Sequence, residues 1–412
     1  MNILILSHAS QEPPFNTMLR FHNWGKQLVN QGHGVTIVAA STVHNTDIDV
    51  IETIGKNNSV VDGIDYLYIK TPRYQGNDIK RVKNMLAYCF GLKKVSKKTN
   101  CPDVIISTGA YKYPFVKKYF KGCPIIVDTV DLWPLSIIQF ANVSKYNPII
   151  QYLYYLEKKA YIEADALIFS MEGGEEYLHE RKYANQIDFS KVFHVNMGCD
   201  IEQKDKELLE TQFDLGWDDK QFNLVYCGSI RQANQVQQIC DAAKVLYERG
   251  YRDIIFHIYG NGTDLEYLKE YVNKNKIKNV TFYGRIEKER IPYILSHSDI
   301  NILTYKQVPL MKYGGSQSKL FDYLASGKPI ICNGKFGYNL ITRYHCGLVT
   351  KDQSAEEFAN TVELMKKMPN EKLIEMGKNS RKTAEMYDQP ILVDRLLEVI
   401  DYVLNIRRHD KK

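Results

Sequence analysis

At 412 residues the chain exceeds what one hydrophobic core usually organises, and roughly 150 residues per domain predicts two or three domains. With 44% hydrophobic and 25% charged residues it is neither a disordered nor a fibrous sequence, and no uncharged apolar run approaches the ~18 residues of a transmembrane helix. The net charge of +6 is uneven: residues 70–121 hold thirteen basic and two acidic side chains, so that segment is +11 and the remainder −5. Such a local excess suits an anionic surface, lipid or phosphate, or else a solvated helix face.

The apolar start, 2–7, reads as a strand and not as a signal peptide. Helical spacing over 20–30 puts Phe21, Trp24 and Leu28 on one face, Gly32-His33-Gly34 stops that helix, and 35–40 is the next strand. A strand at 64–69, a basic helix at about 78–98 and short β-branched strands at 104–107 and 125–130 follow. An aromatic-rich helix at 146–164 and strands at 166–170 and 192–195 complete the first half. Beyond a charged stretch at 200–220, strands at 222–228, 254–259, 280–283, 300–304, 329–332 and 348–350 alternate with helices at 234–249, 265–275, 287–296 and 318–325, and three helical segments close the chain. Alternating β and α at this spacing implies α/β architecture: two Rossmann-like domains with parallel sheets, and ligands at the carboxyl ends of the strands in a cleft between domains. The eight cysteines lie at least twelve positions apart with no CxxC, so they read as small buried apolar residues in a reducing, cytoplasmic compartment.

The motifs narrow the chemistry. Gly260-Asn261-Gly262-Thr263-Asp264-Leu265 lacks the third glycine of a dinucleotide fingerprint, and Gly327-Lys328-Pro329 is no Walker A loop. Asp47-Ile48-Asp49 spells D-x-D and reads as a loop. Gly314-Gly315-Ser316-Gln317-Ser318-Lys319 runs into the helix that carries Asp322. Free amides at a helix N-terminus attract an anion, and a first-turn lysine there is unfavourable unless an anion is close. The plainer reading is a capped helix with a solvated Lys and Asp. Gly228-Ser229-Ile230-Arg231 ends another strand with a guanidinium that could hold phosphate bidentately, and Asn234 is expected to cap the next helix.

The stretch from Ser316 through Ser318-Lys319-Leu320-Phe321-Asp322-Tyr323-Leu324-Ala325 to Gly327-Lys328-Pro329-Ile330, with Ile258-Tyr259-Gly260-Asn261-Gly262, Val280-Thr281-Phe282-Tyr283-Gly284-Arg285, Asp131-Leu132-Trp133-Pro134 and Gly32-His33-Gly34-Val35-Thr36-Ile37, resembles the family-4 glycosyltransferases of the GT-B fold, especially bacterial capsule and exopolysaccharide enzymes. The resemblance implies an acceptor domain over 1–202, a nucleotide-sugar domain over 203–385 and a C-terminal helix, 386–412, returning to the first domain. It implies a retaining, metal-independent hexosyl- or N-acetylhexosaminyl-transferase with no cofactor, using a nucleotide-diphosphate sugar, UDP favoured over GDP. Arg231 would hold the diphosphate, helped by Lys319 and the amides of Gly315 and Ser316, with Asn234 and Ser318 as further donor-binding residues. Asp322 stands where the family has a ribose-binding Glu, and Gly260, Gly284 and Arg285 would border the base. Asp131 is the expected polar group at the reacting centre. The sequence departs from the family pattern at Gly314 (a carboxylate in relatives), at Val130 and at uncharged Gln232–Gln235. A sugar-nucleotide 2-epimerase and a non-catalytic membrane-associated subunit are the alternatives.

The basic helix suggests where an acceptor would come from. Lys80, Arg81, Lys83, Lys93, Lys94, Lys97 and Lys98 accompany Ile79, Val82, Met85, Leu86, Cys89 and Phe90 at three- and four-residue spacing. Such a helix fits an interfacial anchor on the inner face of the plasma membrane, near a lipid-linked or oligosaccharide acceptor; the competing reading packs its apolar face on the sheet.

Overall fold

The computed structural model describes residues 1–16, 19–76, 79–99, 101–218 and 220–409. They form two compact units, one made of residues 1–196 with 389–412 and the other of residues 197–388. Asp78, expected to open the basic helix, lies outside the described residues.

Unit 1 runs β1 (Asn2–Leu6), α1 (Arg20–Asn30), β2 (Gly34–Ala40), α2 (Val50–Ile54), β3 (Asn58–Val61), β4 (Ile64–Ile69), α3 (Ile79–Lys98), β5 (Val104–Thr108), α4 (Tyr113–Tyr119), β6 (Ile125–Thr129), α5 (Leu135–Phe140), α6 (Pro148–Glu163), β7 (Ala166–Phe169), α7 (Gly174–Glu180) and β8 (Val192–His194). Its eight strands lie in the order β3-β4-β2-β1-β5-β6-β7-β8. Only β3 is antiparallel, pairing with β4 at the edge. The central strands are largely apolar because helices cover both faces: Ile3 to Leu6, Ile105 and Ile126 are buried.

Unit 2 runs α8 (Ile201–Glu210), β9 (Phe222–Cys227), α9 (Val236–Glu248), β10 (Ile254–Tyr259), α10 (Leu265–Lys274), β11 (Val280–Gly284), α11 (Ile291–Ser296), β12 (Ile300–Leu303), α12 (Ser318–Ala325), β13 (Ile330–Cys332), α13 (Leu340–Arg343), β14 (Gly347–Val349), α14 (Ala355–Lys366) and α15 (Asn370–Glu385). All six strands are parallel, ordered β11-β10-β9-β12-β13-β14. Leu224, Ile239, Phe256, Ile258, Ile302 and Val362 belong to one core that joins sheet and helices. The closing helix α16 (Gln389–His409) belongs to unit 1. Its Arg407 pairs with Asp165 at 2.9 Å and Tyr402 meets the Ser190 hydroxyl at 2.8 Å.

Three sequence expectations change. The charged stretch at 200–220 contains a helix, α8, capped by Asp200, whose carboxylate accepts from the Gln203 amide. The cysteines are not all solitary: Cys101 and Cys123 form a disulfide, because each sits just ahead of one of two neighbouring strands, β5 and β6. The other six are free and buried, as expected. On α3 the single apolar face divides. Cys89 turns inward with Tyr88, Leu92 and Val95, whereas Ile79, Val82, Leu86 and Phe90 form a separate outward stripe. The helix therefore packs on the sheet and still exposes apolar surface.

Candidate donor site and its surroundings

In unit 2 the loops that follow β9, β10 and β11 are stitched together by main-chain hydrogen bonds. Gly228 donates to the Tyr259 carbonyl, Ile230 to that of Asn261, Asp264 to that of Ile230 and Gly260 to that of Gly284. Two glycines make this approach possible. Gly260 has φ +142° and a Cβ there would strike the Gly228 carbonyl; a Cβ on Gly262 would strike that of Ile230. The three loops thus form one platform at the carboxyl ends of parallel strands, the usual ligand position in such sheets.

Lys319 in the first turn of α12 reaches under this platform. Its Nζ donates to Asn234 Oδ1 at 3.0 Å and the Thr304 carbonyl at 3.2 Å, and lies 3.4 Å from the Tyr226 hydroxyl. Among the described residues it makes no ion pair, and burial pushes its pKa down to about 8. Asn234 does not cap α9. Gln235, in a left-handed conformation, holds the cap position without a side-chain bond. Asn234 instead bridges Lys319 to Ser229, donating to the Ser229 carbonyl and hydroxyl at 2.8 and 2.7 Å. The correction is geometric: a short turn at Gln232–Asn234 inserts between strand and helix and redirects the side chain. Arg231, in extended backbone ahead of that turn, is exposed and has no side-chain partner among the described residues.

The start of α12 is open to a ligand. Gln317 at its N-cap makes no side-chain cap bond, so the amides of the first turn lack that partner, and Ser318 is exposed. Gly315 and Ser316 precede it, with Phe336 packed beside Gly315. Arg285, just after β11, is exposed. Asp322, one turn into α12, has a side chain 26% exposed and pairs through Oδ1 with Lys204 of α8 at 3.1 Å. Lys204 escaped the sequence reading because residues 200–220 read only as a charged stretch. The signal was present: Asp200 and Gln203 form a D-x-x-Q capping pattern.

Asp131 belongs to unit 1 and follows β6 in a turn. It presents its side chain to solvent, while the protein crowded around it pushes its carboxyl above the ordinary range. The strand ends of unit 1 also gather groups that no motif flagged. His8 bonds Asn84 Oδ1 at 2.5 Å, and burial chiefly lowers its pKa to about 4, so it is neutral at pH 7. Lys112 is 1% exposed and bonds the Thr108 hydroxyl at 2.8 Å. Arg20 and Asp128 form a buried pair at 3.1 Å.

Comparison with known proteins agrees with this geometry. Residues 209–383 match the family profile described as glycosyl transferases group 1. No curated protein sequence matches. Among solved structures, a sucrose-phosphate synthase from Thermosynechococcus elongatus superposes with a TM-score of 0.75 at 12% identity, covering 96% of this chain and 97% of that one. HepE (Alr3699) of Anabaena, solved in complex with UDP, gives 0.71 at 12% identity over 97% of this chain and all of its own, 100%. WaaG, a glycosyltransferase involved in lipopolysaccharide biosynthesis, gives 0.69 at 12% identity over 97% and 99%. The fold is that of the GT-B glycosyltransferases, two Rossmann-like domains with parallel sheets. On that fold, residues 209–383 of the second unit are similar to the group 1 glycosyl transferases.

Proposed function

We propose that the protein is a retaining glycosyltransferase that binds a nucleotide-diphosphate sugar on unit 2 and transfers the sugar to a glycan acceptor, lipid-linked, in surface polysaccharide synthesis. The observation that carries this reading is Lys319: a part-buried cation at an uncapped helix start, which like the exposed Arg231 has no ion-pair partner among the described residues. A departing diphosphate develops negative charge, and preorganised donors of this kind are each worth roughly 2–4 kcal/mol in a water-excluded site. Arg231, Lys319 and the amides of Gly315, Ser316 and Ser318 stabilise the leaving group. Asp322 accepts from ribose hydroxyls, and Gly260 and Arg285 border the base. UDP is the favoured nucleotide, a preference consistent with the UDP complex of HepE. No divalent metal is invoked, since these cations and dipoles meet the diphosphate charge. Asp131 is the proposed polar group at the reacting centre, and attack occurs on the face the leaving group vacates.

The acceptor side rests on α3. Its outward stripe, Ile79, Val82, Leu86 and Phe90, is 45–70% exposed. Lys83, Lys93, Lys94, Lys97 and Lys98 are exposed and have no ion-pair partner among the described residues. Unpaired cations around exposed apolar side chains suit an anionic membrane surface. Among the described residues no helix is long and apolar enough to cross a membrane, so the association would be peripheral, on the cytoplasmic face.

Calorimetric titration with UDP and GDP, followed by mass analysis of products from a donor panel with a lipid-linked acceptor, tests the reading. Glycosylated acceptor and UDP are expected. An epimerised sugar nucleotide without transfer would assign a 2-epimerase, and absence of nucleotide binding would assign a non-catalytic subunit.

A further inference from the structure

The ion pair between α8 and α12 joins Lys204, which precedes the region the family profile matches, to Asp322 inside it. It is built with care. Asp205, the next residue on α8, receives both terminal nitrogens of Arg381 from α15, each at 2.7 Å. Arg381 also reaches the Ala325 carbonyl at the end of α12, at 3.3 Å. The Ile201 amide donates to Asp388 at 3.0 Å, which fixes the start of α8. These contacts set the height and rotation of α8 against α12. Lys204 has little freedom in that position: its side chain is 13% exposed, with Glu207 Oε2 at 3.8 Å as its other acidic neighbour.

The consequence falls on Asp322. Oδ1 is taken by the Lys204 ammonium, and Oδ2 has no partner among the described residues. An ionised carboxylate can accept at both oxygens, so one is used for orientation and the other remains for a ligand. We infer that Lys204 is a positioning residue of the donor site, holding the Asp322 carboxylate so that Oδ2 alone faces the hydroxyls of the nucleotide's ribose. This rests on the reading of Asp322 given above. Lys204 need not touch the donor. Its work is to remove one of the two ways the carboxylate could turn, which lowers the ordering cost when ribose binds.

The test compares two ligands, UDP and its 2′,3′-dideoxy analogue, on Lys204→Met, Lys204→Arg, Asp322→Asn and the Lys204→Met/Asp322→Asn double variant. Affinities come from calorimetry, and melting curves check folding. Lys204→Met is expected to weaken UDP about 10-fold, the scale of one charge-assisted hydrogen bond, and the dideoxy analogue less than about 2-fold. Lys204→Arg should recover most of the loss. The double variant should bind UDP no worse than Asp322→Asn, because the lysine acts only through that carboxylate. Should Lys204→Met fold poorly, Lys204→Gln is to show the same hydroxyl-specific loss. Wild-type UDP affinity in the folded Lys204 variant, beside a loss in Asp322→Asn, would overturn the positioning role and leave the ribose reading standing. Wild-type affinity in Asp322→Asn would overturn both. An equal loss for both ligands would make Lys204 a purely structural residue.

Discussion

Lys112 in unit 1 and Lys319 in unit 2 both stand near the carboxyl ends of their unit's central strands, and neither makes an ion pair among the described residues. Burial pushes both amines down, to about 7 and about 8. Their neighbours differ. Lys112 has one hydroxyl, that of Thr108, and the rings of Tyr88 and Tyr111 with centroids 5.7 and 5.2 Å away. Lys319 has three oxygens around it and an exposed arginine on the adjoining loop. Both ammoniums face rings, Lys319 that of Tyr226 at 5.0 Å, so the oxygens separate them: three around Lys319 favour its charged form, against one for Lys112. Under the proposed reading, burial alone does not make a lysine an anion site; surroundings that keep it positive and leave donors over do.

The largest effect expected from breaking this contrast is at the diphosphate. Lys319→Met and Arg231→Ala should each lower kcat/KM by ~10- to 100-fold, and Lys at 231 should rescue only in part, because it is not bidentate. Wild-type turnover in both alanine-scale variants would move the diphosphate elsewhere. Asp322→Asn comes next. It keeps the size and loses the charge, so UDP affinity should fall about 10-fold while Asp322→Glu stays near wild type. The pH dependence sharpens the comparison further. A bound diphosphate raises the Lys319 pKa above its free value of about 8, so binding takes up a proton near and above that pH. UDP affinity should be full below pH 8 and decline above it, and a calorimetric series on Lys319→Met should lose that decline.

A smaller effect concerns the membrane face. Reversing Lys93, Lys94, Lys97 and Lys98 to Glu should abolish salt-sensitive sedimentation with anionic vesicles, and Leu86→Ser with Phe90→Ser should remove the salt-resistant remainder. Equal binding by the wild type and the charge-reversed protein would leave α3 an ordinary structural helix. The smallest effect belongs to Lys112. Lys112→Met removes a buried amine that the rings tolerate only at a desolvation cost. Its melting temperature should hold or rise, and UDP affinity should stay within about 2-fold; a large loss of UDP binding would erase the distinction drawn from the two lysines.

Much of the fold was legible because parallel strands buried on both faces announce themselves as short apolar runs. Ile125–Thr129 and Ile254–Tyr259 needed no partner to be recognised. The antiparallel strand Asn58–Val61 was not recognisable, since none of its residues is buried and only pairing with β4 makes them a strand. The helix α8 was hidden for a related reason: Ile201 is its one buried residue, so it lacks the apolar stripe that periodicity reads.

The sequence by itself determined which groups could meet a diphosphate. Glycines that permit close backbone approach, an arginine after a strand and a lysine at a helix start are chemical types in an order, and order survives without coordinates. Only the tertiary structure decided how those groups are partnered. Asn234 turned from a helix cap into the bridge between Lys319 and Ser229, Cys101 met Cys123 across adjacent strands, and Lys204 arrived at Asp322 from 118 residues away in sequence. Side-chain partnership depends on where helices stand after the sheet has formed, and local propensity carries no record of that distance.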